Sequence, residues 1–222
     1  MNFDAILFDC DGVLVDSEAI TNTVIADTLN AYGANVTVPQ AMEAFLGRSL
    51  RENGNIVARL IGKPAPESFF SDFLRERDLA LAARVEPIAG VAAVIAHLQA
   101  IHKPFAVASG ADVHKMGITL GRCGLLTAFT NPSGRMFGSD HVSHSKPAPD
   151  VYLLAAKALG IDARRCAVVE DTPTGTRAGV AAGATVFAYA GAAHSDANAL
   201  LAAGASAVFS DMAVLPHLLG LN

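Results

Sequence analysis

An α/β fold, its parallel sheet interrupted early by a helical insertion, is the architecture this chain predicts. Three observations predict it. From about Lys103 onward, short β-rich apolar runs alternate with helical stretches, the rhythm of parallel βαβ units. Residues 3 to 8 supply one more strand of the same kind. Residues 17 to about 86 break the rhythm and carry helical patterns only.

The first strand, around Ala5-Ile6-Leu7-Phe8, is followed at once by Asp9-Cys10-Asp11-Gly12. Ser17-Glu18 then opens a helix with Ile20, Val24, Ile25 and Leu29 along one side, closed by Gly33. Pro39–Leu46, Ser49–Ile61 and Pro66–Val85 read as three more helices. The insertion is therefore expected to span residues 16–87 as a small α-helical domain, with Glu86-Pro87-Ile88-Ala89-Gly90 as its return linker. Residues 1–15 and 88–222 are expected to form the Rossmann-like parallel-sheet core. Its later strands are Phe105–Ala108, Cys166–Val169, Thr185–Ala188 and Ala207–Phe209. Helices Ala148–Leu159, Pro173–Ala182 and Asp196–Ala203 lie between them and end at Gly160, Gly183 and Gly204, residues suited to a left-handed cap.

Composition narrows the function. Hydrophobic residues make up 52% and charged residues 17%, so a sizeable core is expected and disorder is excluded. A net charge of −5, with scattered Lys and Arg, argues against a nucleic-acid groove. Apolar runs are broken by Gly, Asp or His well short of a membrane span. Asp4 and Asp9 stand where a signal peptide would need a basic segment. Cys10, Cys123 and Cys166 have no metal-knuckle spacing and cannot all pair, which suits reduced thiols in the cytoplasm.

Four short stretches carry chemistry, each at the expected carboxyl end of a strand or beside one, where ligands bind in open parallel sheets. Asp9 and Asp11 should project to one side, with Cys10 opposite, by the period of two in a strand. Two carboxylates that close repel unless a cation or proton intervenes, and Mg²⁺ prefers such oxygen ligands. A turn with a capping aspartate is the plain alternative; a calcium loop lacks its sixth-position glycine and later acids. Ser109-Gly110 offers a hydroxyl and an amide to phosphate oxygens, or serves as an ordinary turn. Lys146, in HSKPAPD ahead of a helix, opposes the helix dipole but suits a phosphoryl group, a solvated surface lysine being the other reading. Glu170-Asp171 is a second acidic pair. Asp171 could cap the helix that begins at Pro173, but Glu170 would stay unexplained.

Taken together, FDCDGVLVDSE, VASG, SKPAPDVY and VVEDTPTGTRAGVAAGA resemble the haloacid dehalogenase superfamily over nearly the whole chain. The resemblance is to its helical-cap subgroup of phosphatases and β-phosphoglucomutase-like proteins. It implies that Asp9 is the nucleophile and forms an aspartyl-phosphate. Asp11 would be general acid and then base, with its backbone carbonyl on the metal. Ser109 and Gly110 would hold the phosphoryl oxygens, and Lys146 would balance charge. Mg²⁺ would sit among Asp9, Asp11, Glu170 and Asp171, with Asp171 the direct ligand of the last pair and Glu170 binding directly or through water. The namesake dehalogenases lack the second acid of the DxD pair, so Asp11 favours phosphoryl chemistry.

The insertion would be the cap, with hinges near Val15–Ser17 and Glu86–Ile88. Arg48 and Arg51, in Gly47-Arg48-Ser49-Leu50-Arg51, are candidate substrate-binding residues, or plain surface arginines. Lys63 and the Arg75-Glu76-Arg77-Asp78 cluster read as solvated surface, and His141, His144 and His194 as solvated loop. The expected function is a Mg²⁺-dependent phosphatase acting, as a monomer, on a small sugar or sugar-acid phosphate. The alternative is a β-phosphoglucomutase-like enzyme, but Thr21 and Leu50 replace the histidine and arginine that such mutases carry. A phosphonate hydrolase would need an early cap lysine, and the only one in the insertion is Lys63. A non-catalytic phosphate-binding protein is a further reading, disfavoured because every expected catalytic position is filled.

Overall fold

The computed structural model describes residues 3–45, 54–131, 134–191 and 195–221. They form two compact units: the chain up to Asp16 together with Glu86 onward, and Ser17–Val85 between them.

The first unit is built on β1 (Ala5–Phe8), which is buried at every residue. A strand paired in parallel on both sides and covered on both faces needs such a continuous apolar run. In chain order β1 is followed by a short ribbon of β2 (Val15–Asp16) and β3 (Glu86–Pro87), pairing Val15 with Pro87 and Asp16 with Glu86. Next come helix Val91–Ala100, the strand β4 (Phe105–Ala108), helix Val113–Arg122 and helix Leu126–Thr130. Then follow β5 (Met136–Phe137), helix Asp150–Ala158, β6 (Cys166–Glu170), helix Pro173–Ala181 and β7 (Thr185–Tyr189). Helix Ala197–Ala202, β8 (Ala207–Phe209) and helix Leu215–Leu218 complete the unit.

Six strands form one parallel sheet in the order β5-β4-β1-β6-β7-β8. The chain leaves β1 toward β4 and β5, then returns to the other side of β1 for β6. That reversal makes β1 the switch point, beyond whose carboxyl end such sheets bind ligands. Register fixes what meets there: Phe8 lies opposite Val107 on one side and Val169 on the other. Asp9 and Glu170 follow directly, and Ser109 comes one residue further on, after Ala108. One packed cluster joins Leu7, Ala106 and Val168 of the sheet to Tyr152 and Ala155 of the helix Asp150–Ala158.

Several elements differ from expectation. The helix expected from Ala148 begins at Asp150, so Lys146, expected just ahead of it, stands four residues before its first turn. Helices Val91–Ala100 and Val113–Arg122 and the two-residue strands appear in addition. The helices expected to end before Gly160, Gly183 and Gly204 do so, and all three glycines have positive φ.

Among the described residues the second unit holds four helices: Glu18–Ala31, Val38–Phe45, Gly54–Ile61 and Glu67–Arg84. It has its own core, in which Val24, Ile25 and Leu29 pack with Ala41, Val57, Phe69 and Phe73. Tyr32 and Phe69 meet edge to face at 5.3 Å, and the Tyr32 hydroxyl donates to Asp72 at 2.6 Å. Arg77 is a correction to the solvated-surface reading, since it is only 8% exposed and its guanidinium donates to Asp78 at 2.7 Å. Lys63 is exposed. Arg48, Ser49, Leu50 and Arg51 lie outside the described residues, as does His194. No described helix is long and apolar enough to cross a membrane.

Candidate active site

The Asp9 amide donates to the Val169 carbonyl at 2.9 Å, which carries the β1–β6 pairing one step past the end of β1. The amides of Leu14 and Val15 then turn back onto the Cys10 carbonyl, and Gly12 takes φ +77. This turn alters the side-chain directions expected from strand alternation. β1 ends at Phe8, so the period of two does not run through residues 9–11. Asp9 reaches Lys146, whereas Asp11 reaches Lys115 at 2.8 Å and the Cys10 sulfur reaches Thr119 at 3.9 Å. Lys115 and Thr119 are one turn apart on the helix Val113–Arg122, so Cys10 and Asp11 address the same helix.

Lys146 is the centre of a buried polar cluster. Its ammonium donates to Asp9 Oδ1 at 2.6 Å, Glu170 Oε1 at 2.6 Å and the Tyr152 hydroxyl at 2.8 Å. Those three bonds account for all three ammonium protons. The Tyr152 hydroxyl donates in turn to Glu170 Oε1 at 2.9 Å. Glu170 Oε2 accepts from the amides of Asp171 and Thr172 and from the Thr172 hydroxyl. Thr172, not Asp171, caps the next helix, its hydroxyl accepting from the Gly175 amide at 3.0 Å. Helix capping therefore does not account for Asp171.

Electrostatics follow from burial and these partners. Burial pushes the Asp9 carboxyl up to about 7; the Lys146 charge pulls it down, and Glu170 and Asp11 push it further up. For Glu170, burial works against the ionised form but is outweighed by Lys146 and by the hydrogen bonds from Lys146, Thr172 and Tyr152. Its carboxyl is held below the usual range. Burial also opposes the Lys146 charge, and Asp9 and Glu170 more than compensate. Burial pushes Cys10 well above the usual thiol range, so it is no thiolate nucleophile.

Carboxylate oxygens of Asp9, Glu170 and Asp171 all lie within 4.8 Å of one another. The donor set is all oxygen, as a hard divalent cation requires. The backbone is shaped around it: a Cβ on Gly12 would fall 1.9 Å from Asp171 Oδ2, and one on Gly175 would fall 1.6 Å from Glu170 Oε1. These residues fit Mg²⁺. Five donors already occupy the two Glu170 oxygens, which leaves Asp9 and Asp171 as the better direct ligands among the three.

Ser109 follows β4, is 2% exposed, and accepts from the Ala111 amide at 3.0 Å, while Gly110 is exposed. His144 pairs with Asp150 at 3.0 Å and is exposed, and His141 lies edge-on to Phe137, so neither joins the cluster. Thr21 turns its hydroxyl back to the Ser17 carbonyl at 2.9 Å. Sequence reasoning missed two residues. Tyr152 reads as one more buried aromatic and carried no signal. Lys115 carried one: a lysine in the first turn of a helix opposes the dipole and asks for another partner.

A family model described as haloacid dehalogenase-like hydrolase matches residues 3–183. The 6-phosphogluconate phosphatase of Escherichia coli K12 is 29% identical over 196 residues, spanning 86% of this chain and 84% of that protein. The fructose-1-phosphate phosphatase YqaB of the same organism is 29% identical over 184 residues, spanning 82% and 93%. Among solved structures, a hydrolase of the same family from Deinococcus radiodurans R1, with bound phosphate and sodium, superposes with a TM-score of 0.79. It is 33% identical, and the match covers 99% of this chain and 97% of that one.

Proposed function

The chain belongs to the haloacid dehalogenase-like hydrolase family, and we propose that it is a Mg²⁺-dependent phosphatase hydrolysing a sugar or sugar-acid phosphate through an aspartyl-phosphate. It is a phosphoric monoester hydrolase, as its named relatives are phosphatases. The observation that carries the mechanism is Asp9, buried at the end of the switch-point strand, 2.6 Å from Lys146 and grouped with Glu170 and Asp171.

Asp9, Asp171 and the Asp11 carbonyl would hold Mg²⁺, which would supply positive charge that lets an anionic nucleophile approach an anionic substrate. In the first step an Asp9 carboxylate oxygen bonds to phosphorus. The bond to the leaving oxygen breaks with its electron pair, and that oxygen takes the proton carried by Asp11. In the second step water attacks phosphorus, gives its proton to Asp11, and the bond between phosphorus and Asp9 breaks to release phosphate. Ser109 and the Gly110 amide hold phosphoryl oxygens. Lys146 keeps Asp9 oriented and offsets charge between it and the phosphoryl group. Glu170 anchors Lys146 and would act on the cation directly or through water.

The Ser17–Val85 unit serves as the cap that excludes water, and its residues choose the leaving group, with Arg48 and Arg51 as candidates. Three free thiols support a cytoplasmic setting. The partner is a small phosphorylated molecule, bound by a monomer. Phosphate release should be measured across phosphorylated sugars, sugar acids and short acids, with Mg²⁺ and with chelator. Release from sugar or sugar-acid phosphates that requires Mg²⁺ is expected. Full activity in chelator, or wild-type turnover by Asp9→Asn, would contradict the reading.

A further inference from the structure

Lys115 is a largely buried cation that the phosphatase mechanism leaves without a task. Its ammonium lies 2.8 Å from Asp11 Oδ2, and its side chain is only 12% exposed. It is the third residue of the helix Val113–Arg122, where the positive end of the helix dipole disfavours a lysine. Helix stability therefore does not explain it.

Its place is fixed from two directions. Asp112 caps the helix by accepting the Lys115 amide at 2.7 Å, and Asp140 accepts the Val113 amide at 3.2 Å. The Ser139 amide donates to the Ala111 carbonyl at 2.9 Å, so the segment entering the helix is braced by 138–140. A Cβ on Gly138 would lie 2.7 Å from that same carbonyl, so the brace is tight. One turn further along, Thr119 meets the Cys10 sulfur at 3.9 Å. The helix thus grips the loop after β1 at two adjacent residues, through the thiol of Cys10 and the carboxylate of Asp11.

We propose that Lys115 is a positioning residue, fixing the Asp11 carboxylate so that its proton transfers fall on the line between phosphorus and the leaving or attacking oxygen. This rests on the reading of Asp9 as nucleophile and Asp11 as proton carrier. Lys115 forms no bond to substrate. Without it, Asp11 turns through other rotamers, and proton delivery to a poor leaving group suffers most. A good leaving group departs as an anion and needs no proton.

The test is a series of substituted phenyl phosphates, from dinitrophenyl to unsubstituted phenyl, assayed with the intact Mg²⁺-loaded enzyme. The ratio kcat/KM reports attack by Asp9 with departure of the leaving group, so it isolates the first proton transfer. For Lys115→Met, kcat/KM should stay near wild type with the dinitrophenyl ester and fall roughly 10- to 100-fold with phenyl phosphate. Asp11→Asn should show the same trend more steeply, and the double variant should be no steeper than Asp11→Asn alone. Lys115→Gln serves the same comparison should the methionine variant fail to fold. An equal fall across the series, which would make Lys115 a phosphoryl-binding group, overturns the proposal, and so does no fall anywhere. If Asp9→Asn keeps wild-type turnover on these esters, the phosphatase mechanism itself fails. If Asp9→Asn is dead and the Lys115→Met series is flat, only this inference fails.

Discussion

The ammonium of Lys146 donates to Asp9 across 2.6 Å, in a pair whose side chains are 9% and 10% exposed. The same ammonium binds Glu170 at 2.6 Å, so one cation holds together the ends of β1 and β6. Removing it leaves two buried carboxylates without their counter-charge, a change that typically costs about 3–5 kcal/mol. Lys146→Met should lower the melting temperature and cut phosphate release by roughly 10²–10³-fold, as loss of a preorganised charge does. Thermal melting and a phosphate assay check both. A variant that melts with the wild type and keeps its rate would show that the pair matters to neither fold nor chemistry.

Asp9 makes stability depend on pH in a set direction. Its carboxyl rises from 3.8 to about 7 in the fold, chiefly through burial. Between those values the folded chain binds the proton and the unfolded chain does not, so the contribution of Asp9 falls as pH rises across that window. The depressed Glu170 carboxyl acts oppositely: its stabilising contribution is lost as pH falls below the ordinary carboxylate range. The comparison with Asp9→Asn isolates the first effect. In chelator, the stability of the variant relative to wild type should climb from about pH 4 to about pH 7 and then level. A difference independent of pH would contradict this electrostatic picture.

On the proposed reading, Mg²⁺ would displace the Asp9 proton on binding. The rise in melting temperature on adding Mg²⁺ should therefore be larger above about pH 7 than below it. Asp171→Asn should weaken the shift at every pH. An equal shift on both sides of that pH would place the cation elsewhere.

Gly12 and Gly175 make room for the carboxylates. An added methyl would sit 1.9 Å from Asp171 Oδ2 in the first case and 1.6 Å from Glu170 Oε1 in the second. Gly12 also has φ +77, a conformation alanine adopts only with strain. Gly12→Ala should raise the Mg²⁺ needed for half-maximal activity by an order of magnitude or more, about the effect of disturbing a ligand's support. Gly175→Ala should mainly lower kcat, by displacing the anchor of Lys146. Titration of activity against Mg²⁺ separates the two, and wild-type curves for both would show that the loops yield freely.

Much of the sheet was legible because its strands are buried on both faces. Ala5–Phe8, Phe105–Ala108 and Cys166–Glu170 are each buried throughout and read as unbroken apolar runs, the last as far as Val169. Met136–Phe137, Val15–Asp16 and Glu86–Pro87 are too short to show any period. Helix Val113–Arg122 hid behind Gly117 and Gly121, which lower helix propensity. The site was legible where acids ended apolar strands, at Asp9, Asp11, Glu170 and Asp171. Tyr152 was not, because its role depends on a contact 18 positions away, and the dipole signal of Lys115 was hidden together with its helix. The start of the helix after Lys146 was misplaced because Pro147 and Pro149 fit a first helical turn as well as a loop.

The claim on which the rest depends is that Asp9 becomes phosphorylated during turnover. Mixing enzyme, Mg²⁺ and a rapidly reacting phosphate ester, quenching within one turnover and reducing with borohydride converts an acyl phosphate to homoserine. Sequencing by mass spectrometry should then find homoserine at position 9 in the wild type and none in Asp9→Asn. An unmodified position 9 in enzyme that has released its leaving group would contradict the account.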